Sequence, residues 1–448
     1  MTNWAEQFRQ RRAAAVVDIS FGDAGKGTLV DWLTSPAASL MGPGVVVRFN
    51  GGAQAAHNVI RPNGAHHTFS QFGAGSFNGY RTHLSRFMLV EPLSLAAEAE
   101  HLASLGITNP LARLSIDRQA LLTTPYHAAA NQAREVARAA ARHGSCGIGV
   151  GETMAYELKH GSDAPRVGDC EQPQLLLAKL TRMRDWYAQT LDGKSDGAMY
   201  EGDRALRAYF DPAAVAKPAD LVEVYRQFAA SVRLTDASYL AELTRSGPVV
   251  FEGAQGVLLD EWRGFHPYTT WSTTTFANIE TLLAESGAGI EPLRIGALRA
   301  YTTRHGAGPF PTEDAHLTHE LPDVHNGTHR WQGVFRAGHL DLVAHRYALE
   351  VAGATDMLAL THLDRVRGRN DIKLAYAYDI GAHKIERLAP GPFMDLSYQT
   401  QLTQRLGMAH PRLMDADADW PELVADKLAV PVAITSAGPG TNDKQWRV

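Results

Sequence analysis

Cysteine is almost missing from this chain, with Cys146 and Cys170 the only 2 in 448 residues. Two thiols make neither a disulfide framework nor a metal set, so both read as ordinary free cysteines. Also lacking is any run of about 18 consecutive apolar residues, which excludes an obvious membrane-spanning helix. There is no block of like charge, no low-complexity tract, no fixed-period repeat and no Gly/Ser- or Pro-rich linker, so solenoids and tethered domains are not indicated. The formal net charge of -5 gives no general attraction to nucleic acid or to an anionic membrane. The residues before Ala14 are polar and charged, without the apolar centre of a secretory signal. The expectation is a cytoplasmic protein with small-molecule partners and no nucleic-acid or membrane partner. Two nucleotide-binding signatures are absent as well: the glycine-lysine spacing is not Walker A, and Asn442-Asp443-Lys444 has the wrong order for the Asn-Lys-x-Asp base motif, which argues against a GTPase switch.

What is present suits a large enzyme. With 45% apolar residues the chain can bury a substantial core. Strands are expected at 14–21, 45–49, 248–252, 357–362, 373–378 and 430–435, and helices at 93–105, 126–142, 175–191, 220–231 and 340–351. Strands separated by helices imply βαβ units and a mainly parallel central sheet with flanking helices and helical insertions, an α/β fold of P-loop-NTPase-like type read as a single domain over 1–448. Functional loops then belong at the strands' carboxyl ends.

Two glycine turns sit there. Val16-Val17-Asp18-Ile19-Ser20-Phe21-Gly22-Asp23-Ala24-Gly25-Lys26-Gly27-Thr28 is an apolar strand running into a turn with one acid, one lysine and one hydroxyl. Gly22, Gly25 and Gly27 would let backbone N–H groups approach an anion, with Leu29-Val30-Asp31-Trp32-Leu33 as the first helical turn behind them. On spacing alone this is either a phosphate cradle or a structural turn. Val45-Val46-Val47-Arg48-Phe49-Asn50-Gly51-Gly52-Ala53-Gln54-Ala55-Ala56-His57-Asn58 repeats the design and ends on a histidine. With Phe251-Glu252-Gly253-Ala254-Gln255-Gly256 and Gly308-Pro309-Phe310-Pro311-Thr312-Glu313 in the same order along the chain, the sequence resembles the adenylosuccinate synthetase family from Val16 to about Pro439.

The resemblance implies GTP-dependent phosphorylation of a purine-like lactam oxygen, then displacement of that phosphate by an amine, with Mg²⁺. It makes Asp23 the base that takes the lactam proton and a metal ligand, against an alternative reading as an N-cap or Asx turn. His57 becomes a catalytic acid and Lys26 a phosphate contact. Gly22, Gly25, Gly27 and Thr28 would cradle GTP, and the carbonyl of Ala56, a glycine in the family, would help hold the metal. Gln255 would read the acceptor base, and Thr270 the acceptor phosphate unless its threonine run is an edge strand. Arg304 would lie near the nucleotides. The guanine would be read by Asp364 and by the Ser436-Ala437-Gly438-Pro439 turn, with His362 standing where the family has a lysine. The family is dimeric, so a homodimer is expected.

Departures gather on the substrate side. Gln54 replaces an asparagine at the acceptor phosphate, Ser145 and Cys146 replace a threonine pair, and Ile148 replaces an arginine. Ser162 stands where a partner subunit would supply another. The polyarginine loop that grips aspartate aligns with Gly333-Val334-Phe335-Arg336, leaving Arg336, with His329 and Arg330 nearby as possible compensation. Phosphoryl machinery is thus expected with a changed acceptor or amine site. The alternatives are a paralogue with another acceptor or amine, or a nucleotide-binding protein without catalysis, against which Asp23 and His57 both argue.

Overall fold

The structure is a computed structural model that describes residues 3–38, 42, 44–138, 144–191, 216–323, 325–327, 331–416 and 419–447. Short runs of small and β-branched residues build its centre. Ten strands form one sheet: β1 (Ala13–Asp18), β2 (Val45–Arg48), β3 (Arg81–Leu84), β4 (Leu114–Asp117), β5 (Arg233–Thr235), β6 (Val249–Glu252), β7 (Leu293–Arg299), β8 (Met357–Thr361), β9 (Val432–Ser436) and β10 (Lys444–Trp446). Their spatial order is β10-β9-β8-β7-β1-β6-β2-β3-β4-β5, and every neighbouring pair is parallel except β9 with β10.

Alternating residues of the central strands feed two separate cores. Ala14, Val16 and Val46 pack on one face with Leu29, Leu95 and Tyr126, while Ala15, Val17, Val45 and Val47 pack on the other with Leu240, Ile279 and Tyr347. A sheet buried on both faces needs helices on both sides, which is why its inner strands read as continuous apolar runs rather than as alternations.

The expected strands at 14–21, 45–49, 248–252, 357–362, 373–378 and 430–435 each overlap an observed one, although Leu374–Ile380 lies in a smaller sheet with Leu340–Asp341, His383–Ile385 and His410–Met414. The expected helix at 340–351 begins at Leu342, because Leu340–Asp341 is a strand and the Asp341 carboxylate caps the helix by accepting from Ala344 N at 3.0 Å. The helix expected at 126–142 runs Pro125–Arg138, and its last residues fall outside those described. The sequence reading missed β7, although it sits directly against β1, since Arg294 and Gly296 break its apolar run.

Parallel strands send their following loops to one edge of the sheet. Those after β1, β2, β6, β8 and β9 converge there.

Candidate active site

The loop after β1 is drawn tight by Asp18. This buried carboxylate accepts from Gly22 N at 3.3 Å, Ala24 N at 2.9 Å and Lys26 Nζ at 3.0 Å. Lys26 is 4% exposed, and it opens the helix Lys26–Leu33, three residues earlier than the sequence suggested. A helix leaves its first N–H groups without intrahelical acceptors, so Lys26, Gly27 and Thr28 present donors at the positive end of the helix dipole. Gly27 cannot be larger: a Cβ there would lie 2.5 Å from the Cβ of His57. Thr28 ties the loop to the late turn by donating to the carbonyl of Pro439 at 2.8 Å.

His57 is oriented from behind. Its Nδ1–H donates to Glu252 Oε1 at 2.5 Å, while Glu252 Oε2 accepts from Ala74 N at 2.9 Å. Glu252 closes β6 directly beside Arg48 of β2, and the two side chains are fully buried. Burial pushes the Glu252 carboxyl up, but the Arg48 charge and the His57 bond outweigh it and hold it below its usual range. Burial also draws His57 below the ordinary histidine range, against the pull of Glu252. The pair is therefore a neutral imidazole on a carboxylate, with Nε2 turned to the cavity.

That cavity has a volume of about 970 Å³. It gathers Gly22, Asp23, Gly25, Lys26, Gly27, Thr28, Gln54, Ala56, His57, Ser145, Cys146, Gln255, Thr270, Arg304, His362, Asp364, Ser436 and Gly438, that is, nearly the whole set singled out from the sequence. Three of these carry strained backbone for their residue type: Asp23, Gln255 and His362 have φ near 60°. The Asp23 carboxyl is raised by burial, against Lys26 and Arg299, and Arg299 donates to the Asp23 carbonyl at 3.3 Å. Ala56 is not among the residues at positive φ, so alanine is accommodated where the family has glycine. A carboxylate at Asp23 and a carbonyl at Ala56, on two residues that line the cavity, fit the few protein oxygens that Mg²⁺ takes when phosphates supply the rest.

Several expectations need correction. Arg336 lies outside the cavity: it donates to Glu313 Oε2 and to the carbonyl of Gly306, each at 2.6 Å, because Glu313 bridges Gly338 at the end of its own strand and Gly306 directly follows the partner strand Thr302–His305. Arg304 lines the cavity, but its guanidinium is spent on the carbonyls of Ala307, Pro309 and Tyr268, over the ring of Phe21. Burial lowers it to about 9. The threonine run 269–274 is loop, not an edge strand. Arg330 and His329 lie outside the described residues. Asp18, Arg48 and Glu252 were missed as site residues, though each ends a buried strand on a charge, a signal the sequence does carry.

The family model for adenylosuccinate synthetase matches residues 15–443. The chain belongs to that family. Its members are ligases that form a C–N bond in purine biosynthesis, and the family uses GTP. Curated relatives include the adenylosuccinate synthetase of Acidithiobacillus ferrooxidans, 32% identical over 96% of this chain and 97% of the relative. That of Desulfovibrio desulfuricans is 30% identical over 83% of each. The fold is similar to that of a fully ligated adenylosuccinate synthetase from Plasmodium falciparum, with TM-score 0.76 and 20% identity over 98% of this chain and 100% of that one. It is also similar to cyanophage S-2L succinoaminodeoxyadenylate synthetase, solved with dGMP and with dATP as energy donor, at TM-score 0.53 and 16% identity over 97% and 94%. Among the described residues no helix is long and apolar enough to cross a membrane.

Proposed function

We propose that this member of the family is a GTP- and Mg²⁺-dependent ligase that phosphorylates the carbonyl oxygen of a purine-like acceptor and lets an amine displace the phosphate. The observation that carries the reading is that Asp23 and His57, from neighbouring loops, both line one cavity.

Asp23, made more basic by burial, takes the lactam N–H proton. The acceptor oxygen then attacks the γ-phosphorus as the bond to the β-phosphate oxygen breaks. Lys26 and the first-turn N–H groups face the phosphates, Lys26 exchanging Asp18 for them, and donors already in place at a developing charge are worth the most. His57 is held by Glu252 with Nε2 forward, and the negative charge of a phosphoryl group beside Nε2 favours a second proton there, making the ring a donor to the oxygens in flight. An amine nitrogen then attacks the activated carbon, the carbon–oxygen bond breaks with its electron pair on the departing phosphate, and the amine's surplus proton passes to that phosphate. Asp23 and the Ala56 carbonyl would hold Mg²⁺, which would supply charge neutralisation to the phosphates. Asp364 would accept from the N1–H and amine of guanine, and His362, Ser436 and Gly438, which line the same cavity, would surround the base. The homodimer and the cytoplasmic location are carried over from the family resemblance.

A second reading, a paralogue with a different acceptor or amine, is favoured by one observation: Arg336, the last arginine of the aspartate loop within the described residues, is paired with Glu313 away from the cavity. Phosphate release from GTP across IMP, dGMP, unphosphorylated nucleosides and several amino acids tests both. Release that requires an acceptor and an amine together supports ligation. Release with water alone, or none with any pair, counts against it.

A further inference from the structure

The turn after β9 has its carbonyls filled from behind. Gly438, Pro439 and Gly440 follow one another there, and the first two line the cavity. Ser436 Oγ donates to the Gly438 carbonyl at 3.1 Å, and Thr28 Oγ1 to that of Pro439 at 2.8 Å. Lys444 supplies the rest. Its Nζ donates to the Gly440 carbonyl at 2.7 Å and reaches that of Gly438 at 3.4 Å, while the Asp443 N–H also meets Gly440 at 3.2 Å.

Lys444 opens the edge strand β10, is 6% exposed and does not itself line the cavity. A buried ammonium persists only where opposite charge answers it. Here that charge comes from its neighbour Asp443, from Asp31 on the helix behind the glycine loop and from Asp364 after β8. Asp31 is shared with Thr441 Oγ1 at 2.6 Å and Arg61 at 3.3 Å, whereas Asp364 lines the cavity. His362 offers no second cation at the base, since burial, then Arg299, Lys444 and Arg365, hold it well below the histidine range. One ammonium thus ties the carbonyls of the turn to the acid assigned to the base.

The consequence differs between purines. At ring position 6 guanine presents a carbonyl oxygen and adenine an amine. Carbonyls that already have donors are poor acceptors for that amine, and an unpaired polar group in a closed site weakens binding. Guanine asks for no carbonyl at that position.

We propose that Lys444, from outside the cavity, is a specificity-determining positioning residue: it sets the preference for guanine over adenine by withholding the carbonyls of Gly438 and Gly440 and by setting its charge against Asp364. This rests on the base pocket assigned to Asp364 and this turn in the ligase reading above.

The test is calorimetric titration of the full chain, in Mg²⁺, with non-hydrolysable analogues of GTP and ATP from about pH 7 to about pH 9. The parent is expected to bind the GTP analogue more tightly at about pH 7, and Lys444→Met, similar in length but uncharged, to shrink that preference by about tenfold. Burial lowers Lys444 to about 8, against the pull of its three carboxylates, so its charge is present at the acid end of this range and lost at the alkaline end. The parent's preference should therefore decline more steeply with pH than the variant's, which carries only the loss caused by guanine's own N1 proton. Lys444→Gln repeats both readings if circular dichroism shows the methionine variant unfolded. A lysine that merely supports the fold would weaken both analogues alike and leave the two pH courses parallel; either result overturns the proposal. Failure of the reading beneath looks different. No preference in the parent overturns the base pocket and Lys444 with it. A preference that behaves as expected, without phosphate release from GTP for any acceptor and amine, keeps the role of Lys444 and overturns the ligase.

Discussion

The glycine-loop end and the acceptor end of the cavity are built in opposite ways. At the first, reactive groups stand on the carboxyl ends of central strands and are braced by buried charge: Lys26 on Asp18, His57 on Glu252, Glu252 beside Arg48. At the second, the walls come from the helix Pro125–Arg138, the segment from Gly144 to Gly151 and the loop around Trp271, and the charges there already cancel in pairs. On the proposed mechanism the sheet fixes where phosphoryl transfer happens, and peripheral helices and loops decide what receives the phosphate. A change of acceptor then needs no change in the sheet.

The sharpest way to break this contrast is Asp23→Asn, which should lower turnover by about 10²–10⁴-fold while leaving nucleotide binding largely intact, since an amide cannot take the lactam proton. Activity within a few fold of the parent would remove Asp23 from the base role. Glu252→Gln comes next. It keeps the shape but not the charge behind His57, and kcat should fall by about 10–100-fold with KM little changed. A pure KM effect would place His57 in binding instead. Asp364→Asn is expected to shrink the preference for GTP over ATP by about tenfold, read as the ratio of kcat/KM values.

Acid should loosen both ends together. Burial pushes His345, which donates to the carbonyl of Ile19 under the glycine loop, down to about 4, and His127, packed against Gly149 under the acceptor end, down to about 3. His83 is likewise held at about 4. The unfolded chain binds these protons first, so the stability that the neutral rings confer is intact above pH 6.5 and is lost as pH falls toward 4 and below. Melting temperature should decline from pH 7.5 to 4.5 less steeply in His345→Gln than in the parent; equal slopes would mean the His345 ring is not held neutral. The smallest effect is expected of Arg336→Ala, within about threefold on kcat/KM, because an exposed pair with Glu313 is worth little. A loss of about 100-fold would bring Arg336 into the site and remove the contrast.

How much of this was legible depended on where the information lies along the chain. Val45-Val46-Val47 and Val249-Val250-Phe251 announce buried strands because parallel sheets bury both faces, and glycines close behind them announce the loops. Strand β7 stayed hidden because Arg294, Gly296 and Arg299 interrupt it, and β3, with Arg81 and His83, reads as loop for the same reason. Asp23, His57 and Gln255 could be found within contiguous motifs. The bond from His57 to Glu252 could not, since it spans 195 residues, whereas Asp18, which holds Gly22, Ala24 and Lys26, lay within the first glycine motif and was passed over. The position of Arg336 was equally out of reach, because the bridge from Gly338 to Glu313, not its place in a motif, brings it to that carboxylate.

Gly27 makes the helix start and the His57 loop one mechanical part. With His57 resting where any side chain at 27 would go, neither loop can be regrafted, lengthened or reshaped by itself. Drift in one must be answered by drift in the other, so variants of this scaffold should inherit the two loops as a cassette, and chimeras that mix them from different relatives should lose turnover even when each loop is sound in its own parent.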